Sequence, residues 1–180
     1  MGASRGAAAN IVDVFARLQR DGVQKTFRDL NIDAAFAASP EDAFLALTDV
    51  ICSDGGLVDE GIARDAWCEI AGSIDQFGIT DLAGMTDSQR REVFAGFVGK
   101  TIELRIQNDV GAQGFKIAGS PLEIRQMAEG LAGYIRTATR DEILRSFPQN
   151  LISVTVAQLQ TIGATVYDKA WAILETYRVS

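Results

Sequence analysis

The chain has 180 residues, 47% hydrophobic and 23% charged, with 17 Lys and Arg against 24 Asp and Glu for a formal charge of −7, and it has no histidine. The apolar content is too high for a disordered chain, and no run of about 18 uncharged apolar residues could cross a bilayer. An average surface this acidic repels phosphate backbones, which argues against nucleic acid as a direct ligand.

Helices are expected over 5 to 20 and 23 to 36. Met1 to Asn10 lacks the apolar core of a signal peptide, and Gly6 stands where a myristoylation pattern starting at Gly2 needs Ser or Thr. Ser39-Pro40-Glu41-Asp42 sets a hydroxyl at the cap, proline at the first helical position and an acid at the third, so a helix over 40 to 51 begins there. Asp54-Gly55-Gly56 reads as a turn, where glycine supplies positive φ. In 59 to 77, Ile62, Ala66, Ile70 and Ile74 form one apolar row with Trp67 beside it.

Thr86-Asp87-Ser88-Gln89 opens a helix over 87 to 109 with the row Phe94, Val98, Ile102 and Ile106, widened by Val93, Phe97 and Leu104. Val110 to Gly114 reads as a turn. Ser120-Pro121-Leu122-Glu123 opens a helix over 121 to 147, Thr139-Arg140-Asp141-Glu142 repeats the cap and marks a break near Thr139, and Pro148 ends the helix. Leu151-Ile152-Ser153-Val154 is strand-like and is expected as an extended connector packed on the bundle. Thr155-Val156-Ala157-Gln158 starts the last helix, over 155 to 178, with the row Leu159, Ile162, Val166, Ala170, Ile173 and Tyr177. Gly96, Gly99, Gly130 and Gly133 fall inside helices at up to about 1 kcal/mol each relative to alanine, which implies close helix approach at each. The expected fold is all-α, a compact bundle of about six to eight helices forming one domain over 1 to 180, with no internal repeat or linker.

Without histidine there is no Ser/His/Asp or Cys/His triad, no His-containing zinc site and no imidazole base. The acids of 53 to 60 are too few and wrongly spaced for a calcium loop, and Asp59 and Glu60 suit a helix N-terminus. Gly111-Ala112-Gln113-Gly114 lacks the Lys-Ser/Thr of a phosphate loop. Cys52 follows an apolar run and Cys68 adjoins Trp67, so both thiols are expected in the core of a reduced, cytoplasmic protein. Glu69 with Asp75, and Glu92 with Glu103, have no spacing that marks a catalytic pair. Arg136, Arg140 and Arg145, with acids between them, read as a solvated face. Trp67, Trp171, Tyr134, Tyr167 and Tyr177 lie among aliphatics at helical spacing and are expected in the core or an interface. No catalytic, cofactor-binding or metal-binding residue and no cofactor is assigned.

Five stretches carry a family resemblance: Met1 to Asn10, Val12 to Arg20, Ser39 to Cys52 with its Ser-Pro-Glu-Asp start, Asp65-Ala66-Trp67, and Arg105-Ile106-Gln107-Asn108-Asp109-Val110-Gly111. Together they resemble the helical part of QatB, the B component of the four-gene Qat anti-phage defence systems of bacteria. The resemblance implies an ATPase-like component, a TatD-like nuclease and a QueC-like enzyme as companions. It implies further that the QueC-like enzyme takes the B component as its protein substrate and joins a 7-deazaguanine base to its amino-terminal glycine. Family members carry a Gly/Ser/Pro-rich leader ahead of the helical region. None is seen here, so the chain is expected to be a fragment of a longer protein, and Gly2 is not assigned the role of the modified glycine.

The function expected on these grounds is that of a non-enzymatic defence component, a helical docking domain held by the QueC-like enzyme through an exposed apolar patch rimmed by charge, with homo-oligomers allowed. The sequence does not locate that patch; the Gly-rich loops and helix ends are where it is to be sought. A general helical adaptor or homo-oligomerisation module outside defence, and a carboxylate-dependent hydrolase with two acids of shifted pKa, are the alternatives.

Overall fold

Apolar rows three and four residues apart dictate helices, and helices are what form. The computed structural model describes residues 2–52, 56–114, 116–151 and 154–178. They contain α1 (Gly2–Asp21), α2 (Val23–Asp29), a 3-10 turn (Ala34–Ala38), α3 (Pro40–Ala46), α4 (Thr48–Ile51), α5 (Val58–Ala71), a second 3-10 turn (Ile74–Phe77), α6 (Asp87–Ala112), α7 (Pro121–Ser146) and α8 (Val156–Glu175). Among the described residues the one β feature is an isolated antiparallel bridge between Ile117 and Arg178. The fold is all-α, as the apolar periodicity predicts.

Four of the five expected caps are in place. The hydroxyls of Ser39, Thr86, Ser120 and Thr155 accept from the backbone amides of Asp42, Gln89, Glu123 and Gln158. Gln89, Glu123 and Gln158 each reach back to the cap amide, so two end donors are satisfied at each of these three sites. The fifth cap does not form. Thr139 is fully buried inside an unbroken α7, because Leu131, Ile135 and Ile143 continue one buried stripe through it. Beyond Ser146 the helix stops ahead of Pro148, and Arg91 of α6 donates to the carbonyls of Phe147 (3.2 Å) and Pro148.

The other boundaries shift for local reasons. The helix expected over 23 to 36 ends at Asp29: Asn31 takes a left-handed φ of 57°, and the amide of Ile32 turns back to the Phe27 carbonyl at 2.8 Å. The helix expected over 40 to 51 divides at Leu47 into α3 and α4. That expected over 59 to 77 ends at Ala71, with the Ser73 hydroxyl bonding back to Glu69 O at 2.7 Å before the second 3-10 turn. Conversely, α6 runs through Gly111 to Ala112, and the left-handed residue after it is Gly114, at φ 60°. In α8 the apolar row holds through Ala170 and then moves to Leu174, which is buried while Ile173 and Tyr177 face outward. The expected turn at Asp54-Gly55 and the middle of the connector, Ile152-Ser153, lie outside the described residues.

An aromatic stack ties four helices together. Phe15 of α1 lies 6.3 Å from Phe44 of α3, Phe44 stacks on Trp67 of α5 at 5.3 Å, and Trp67 meets Phe97 of α6 edge-on at 6.3 Å. The Trp67 indole donates to Phe44 O at 2.9 Å, so its one polar atom is satisfied in the core. Each such side chain contributes about 1.5–3 kcal/mol by leaving water. α6 packs against α1, α5, α7 and α8 and is the central helix.

The in-helix glycines divide. A Cβ on Gly96 would lie 3.0 Å from Ile70 Cδ1 and 3.1 Å from Phe77 Cζ, and one on Gly99 would lie 3.6 Å from Thr139. Close approach accounts for the first and is ordinary contact at the second. Gly130 and Gly133 have nothing within 4 Å, so close packing does not explain them.

Candidate functional site

One end of the bundle collects the start of α1, the start of α5, the end of α6 and the middle of α8, and a polar network joins them. Asp59, in the first turn of α5, accepts from the Ala3 amide of α1 at 3.2 Å and from Arg105 of α6 at 3.0 Å. Arg105 also donates to Asp109 one turn along at 3.1 Å, and the Tyr167 hydroxyl of α8 donates to Asp109 at 2.7 Å. Burial opposes the charge on Asp109, but hydrogen bonds from Tyr167, Arg105 and Asn108 hold its carboxyl below the usual range. Burial and the Asp109 carboxylate push the Tyr167 phenol up to about 12. The Tyr167 ring stacks on Trp171 at 5.9 Å with 8° between planes.

Farther along α8 the surface becomes apolar. Ile173 stands six residues, about 9 Å, beyond Tyr167, and with Tyr177 it forms one wall of a groove of about 520 Å³ whose other wall is Met127, Gly130, Leu131 and Tyr134 of α7. Ile173 is 37% exposed and Tyr177 42%. Gly130, where an added Cβ would meet nothing within 4 Å, faces the open space of this groove. The groove's end is fixed by Ala118 N donating to Tyr177 O at 2.8 Å, by Gly119 at φ 129° and by the Ser120 cap. Glu123 adds a charged group to its lining. The groove lies beside the start of α7 and the end of α8, away from the Gly-rich stretches 54 to 56 and 110 to 114.

Elsewhere the candidate chemical groups are occupied or apart. Cys52 is buried, its thiol contacts Ala63 O at 3.5 Å, and burial first and Cys68 second push it up to about 11. Cys68 is exposed, a correction to the expected core position: it follows Trp67 on α5 and falls off the buried Ala63, Ala66, Trp67, Ile70 face. Glu60 accepts from the amides of Gly56 and Leu57 at 2.8 and 3.0 Å, as its helix-start position implies, whereas Asp59 serves the network instead.

Spacing gave no hint that Glu69, Glu92 and Glu103 line one cleft, of about 420 Å³, between α5, α6 and α7; Asp75 is not among its lining residues. Each of the three faces a cation: Lys100 bridges Glu69 (2.7 Å) and Glu103 (3.0 Å), and Arg140 holds Glu92 through two bonds of 2.8 and 2.6 Å. Arg140 thus joins α7 to α6, while Arg145 pairs with Glu142 on the α7 surface. Among the described residues no group of three or more His, Cys, Asp or Glu side chains is arranged to hold a metal ion, and no helix is long and apolar enough to cross a membrane.

The network escaped the sequence reading, although the four-residue spacing of Arg105 and Asp109 signals a helical ion pair. Both lie in the segment 105 to 111 that carries part of the family resemblance, and Trp67 of the Asp-Ala-Trp segment is the centre of the aromatic stack. A family model described as "Qat anti-phage system associated protein QatB" matches residues 1–174. No curated protein and no solved structure matches the chain.

Proposed function

The chain belongs to the QatB family of Qat anti-phage system associated proteins, and on that premise we propose that it works without catalysing a reaction, by being held at the end of the bundle where α1 begins. Family membership makes it a component of an anti-phage defence system. The proposed holder is the QueC-like enzyme of the same system, and the proposed outcome is a 7-deazaguanine base joined to the amino-terminal glycine of the full-length protein in the cytoplasm.

The observation that carries this reading is the apolar groove of Ile173, Tyr177, Met127 and Leu131 beside the network that pins the first turn of α1. An enzyme acting on chain ahead of α1 has to approach this end, and apolar surface bordered by charge is what a docking protein buries. The cation facing each cleft glutamate supports the non-catalytic reading, because each of these carboxylates is already engaged by Lys100 or Arg140 within the protein.

The test is the intact mass of the full-length protein co-expressed with its neighbouring genes. A mass increase equal to one added base, lost when Ile173→Glu is introduced into a chain that still folds, is the expected result. An unmodified wild-type protein, or modification indifferent to Ile173→Glu and Tyr177→Asp alike, counts against it.

A further inference from the structure

The cleft between α5 and α7 holds more charge than its internal pairs use. Its floor is α6, where Ala95, Gly96 and Gly99 present no side chain longer than a methyl, and α5 and α7 each pack against α6 beside it. The space left is about 420 Å³, within the range of small-molecule sites. Gly96 cannot be enlarged unless Ile70 or Phe77 gives way, since a Cβ there would lie 3.0 and 3.1 Å from them. These two side chains form the apolar part of the lining.

Six charged side chains line the cleft, three of each sign, and their pairing is uneven. Glu92 and Arg140 neutralise one another through two bonds. Lys100, whose side chain is 20% exposed, is shared by Glu69 and Glu103, which leaves one negative charge in excess where α5 meets α6. Arg136, one turn before Arg140 on α7, has no ion pair and no hydrogen bond among the described residues, which leaves one positive charge in excess on the other wall. Either residual charge alone is ordinary, since water meets an exposed arginine or a shared lysine equally well. Set on two walls of one cleft beside an apolar patch, they are complementary to a molecule that carries both signs. A carboxylate matches the planar fork of the guanidinium through two bonds, and an ammonium finds spare lone pairs on Glu69 and Glu103.

We propose that this cleft binds a small zwitterion, an α-amino acid whose apolar side chain lies against Ile70 and Phe77, with Arg136 taking the carboxylate and the Glu69–Glu103 pair the ammonium. The cleft shares no lining residue with the Ile173 groove. The proposal therefore does not depend on which protein is held at the start of α1.

The test is a nuclear magnetic resonance titration of the isotope-labelled full chain with three probes at millimolar concentration. They are L-phenylalanine, N-acetyl-L-phenylalanine, which has no ammonium, and L-phenylalaninamide, which has no carboxylate. L-Phenylalanine should shift the amide resonances of Gly96 and Gly99, and each derivative should bind about tenfold more weakly. Two substitutions then assign the two ends, and both positions are exposed, so neither change opens the core. Arg136→Gln should abolish the preference over the amide and keep that over the acetyl derivative, and Glu69→Gln should do the reverse. The proposal is overturned if L-phenylalanine leaves the Gly96 and Gly99 resonances unmoved, if the three probes bind equally, or if both variants keep both preferences.

Discussion

The Tyr167 hydroxyl donates to the Asp109 carboxylate at 2.7 Å, across the interface of α8 and α6. Through Arg105 and Asp59 the same chain of bonds reaches the Ala3 amide, so the amino end of α1 is fixed by residues distant in sequence. Tyr167→Phe removes the first link and leaves Arg105 on Asp109. The expected cost is about 1 kcal/mol, read as a fall of about 2–4 °C in Tm for a chain of this size. An unchanged Tm would mean that the bond adds nothing to stability.

The same pair sets two pH dependences of opposite sense. Tyr167 has a folded value raised from 10.0 to about 12, so its contribution is complete below pH 10 and is lost as pH rises through about 12. Asp109 is held below its unfolded value, so its contribution is complete above about pH 4 and is lost as pH falls through the lower folded value. Tyrosinate absorbance during an alkaline titration of the native protein should show a late step near 12 that Tyr167→Phe removes. Asp109→Asn should flatten the acid limb of stability against pH; a limb identical to wild type would contradict the assignment.

The two thiols should react very differently. Cys68 is exposed, whereas Cys52 is buried and its pKa pushed to about 11, and the thiolate is the reactive form. One equivalent of a maleimide should add quickly to the native chain and the second only on unfolding, with Cys68→Ser abolishing the fast phase. Equal rates at both positions would contradict the packing of Cys52 against α5.

Alanine substitutions should separate the helical glycines. At Gly130 an added methyl meets nothing within 4 Å, so Gly130→Ala should stabilise by about 0.5–1 kcal/mol in urea unfolding. At Gly96 the methyl meets Ile70 and Phe77 at 3.0 and 3.1 Å, and the strain of overpacking should cancel that gain or reverse it. Equal stabilisation at the two positions would show that Phe77 yields freely.

What the sequence made legible is what local chemistry determines. Ser39, Thr86, Ser120 and Thr155 each carry their cap signal within four residues, and the rows of α5 and α6 follow from periodicity alone. Thr139 carries the same cap signal but lies on a buried stripe, and tertiary burial overrode it. Cys68 was misplaced for a related reason, since adjacency to a buried tryptophan on a helix turns the next residue about 100° away. The candidate site was mostly illegible: Asp59, Arg105 and Tyr167 are far apart in sequence and meet only through helix packing. Ile173 also fits the buried row of α8 by spacing, yet it faces outward because Leu174 fills the interior position.

The central claim, that this chain acts by being held at the end where α1 starts, is tested most directly by size-exclusion chromatography of the full-length protein mixed with the QueC-like enzyme at micromolar concentration. The predicted result is a shared peak for wild type that separates into two for Ile173→Glu, with helical content and Tm of the variant preserved. Two separate peaks for the wild-type pair, or a shared peak that survives Ile173→Glu and Tyr177→Asp together, would contradict it.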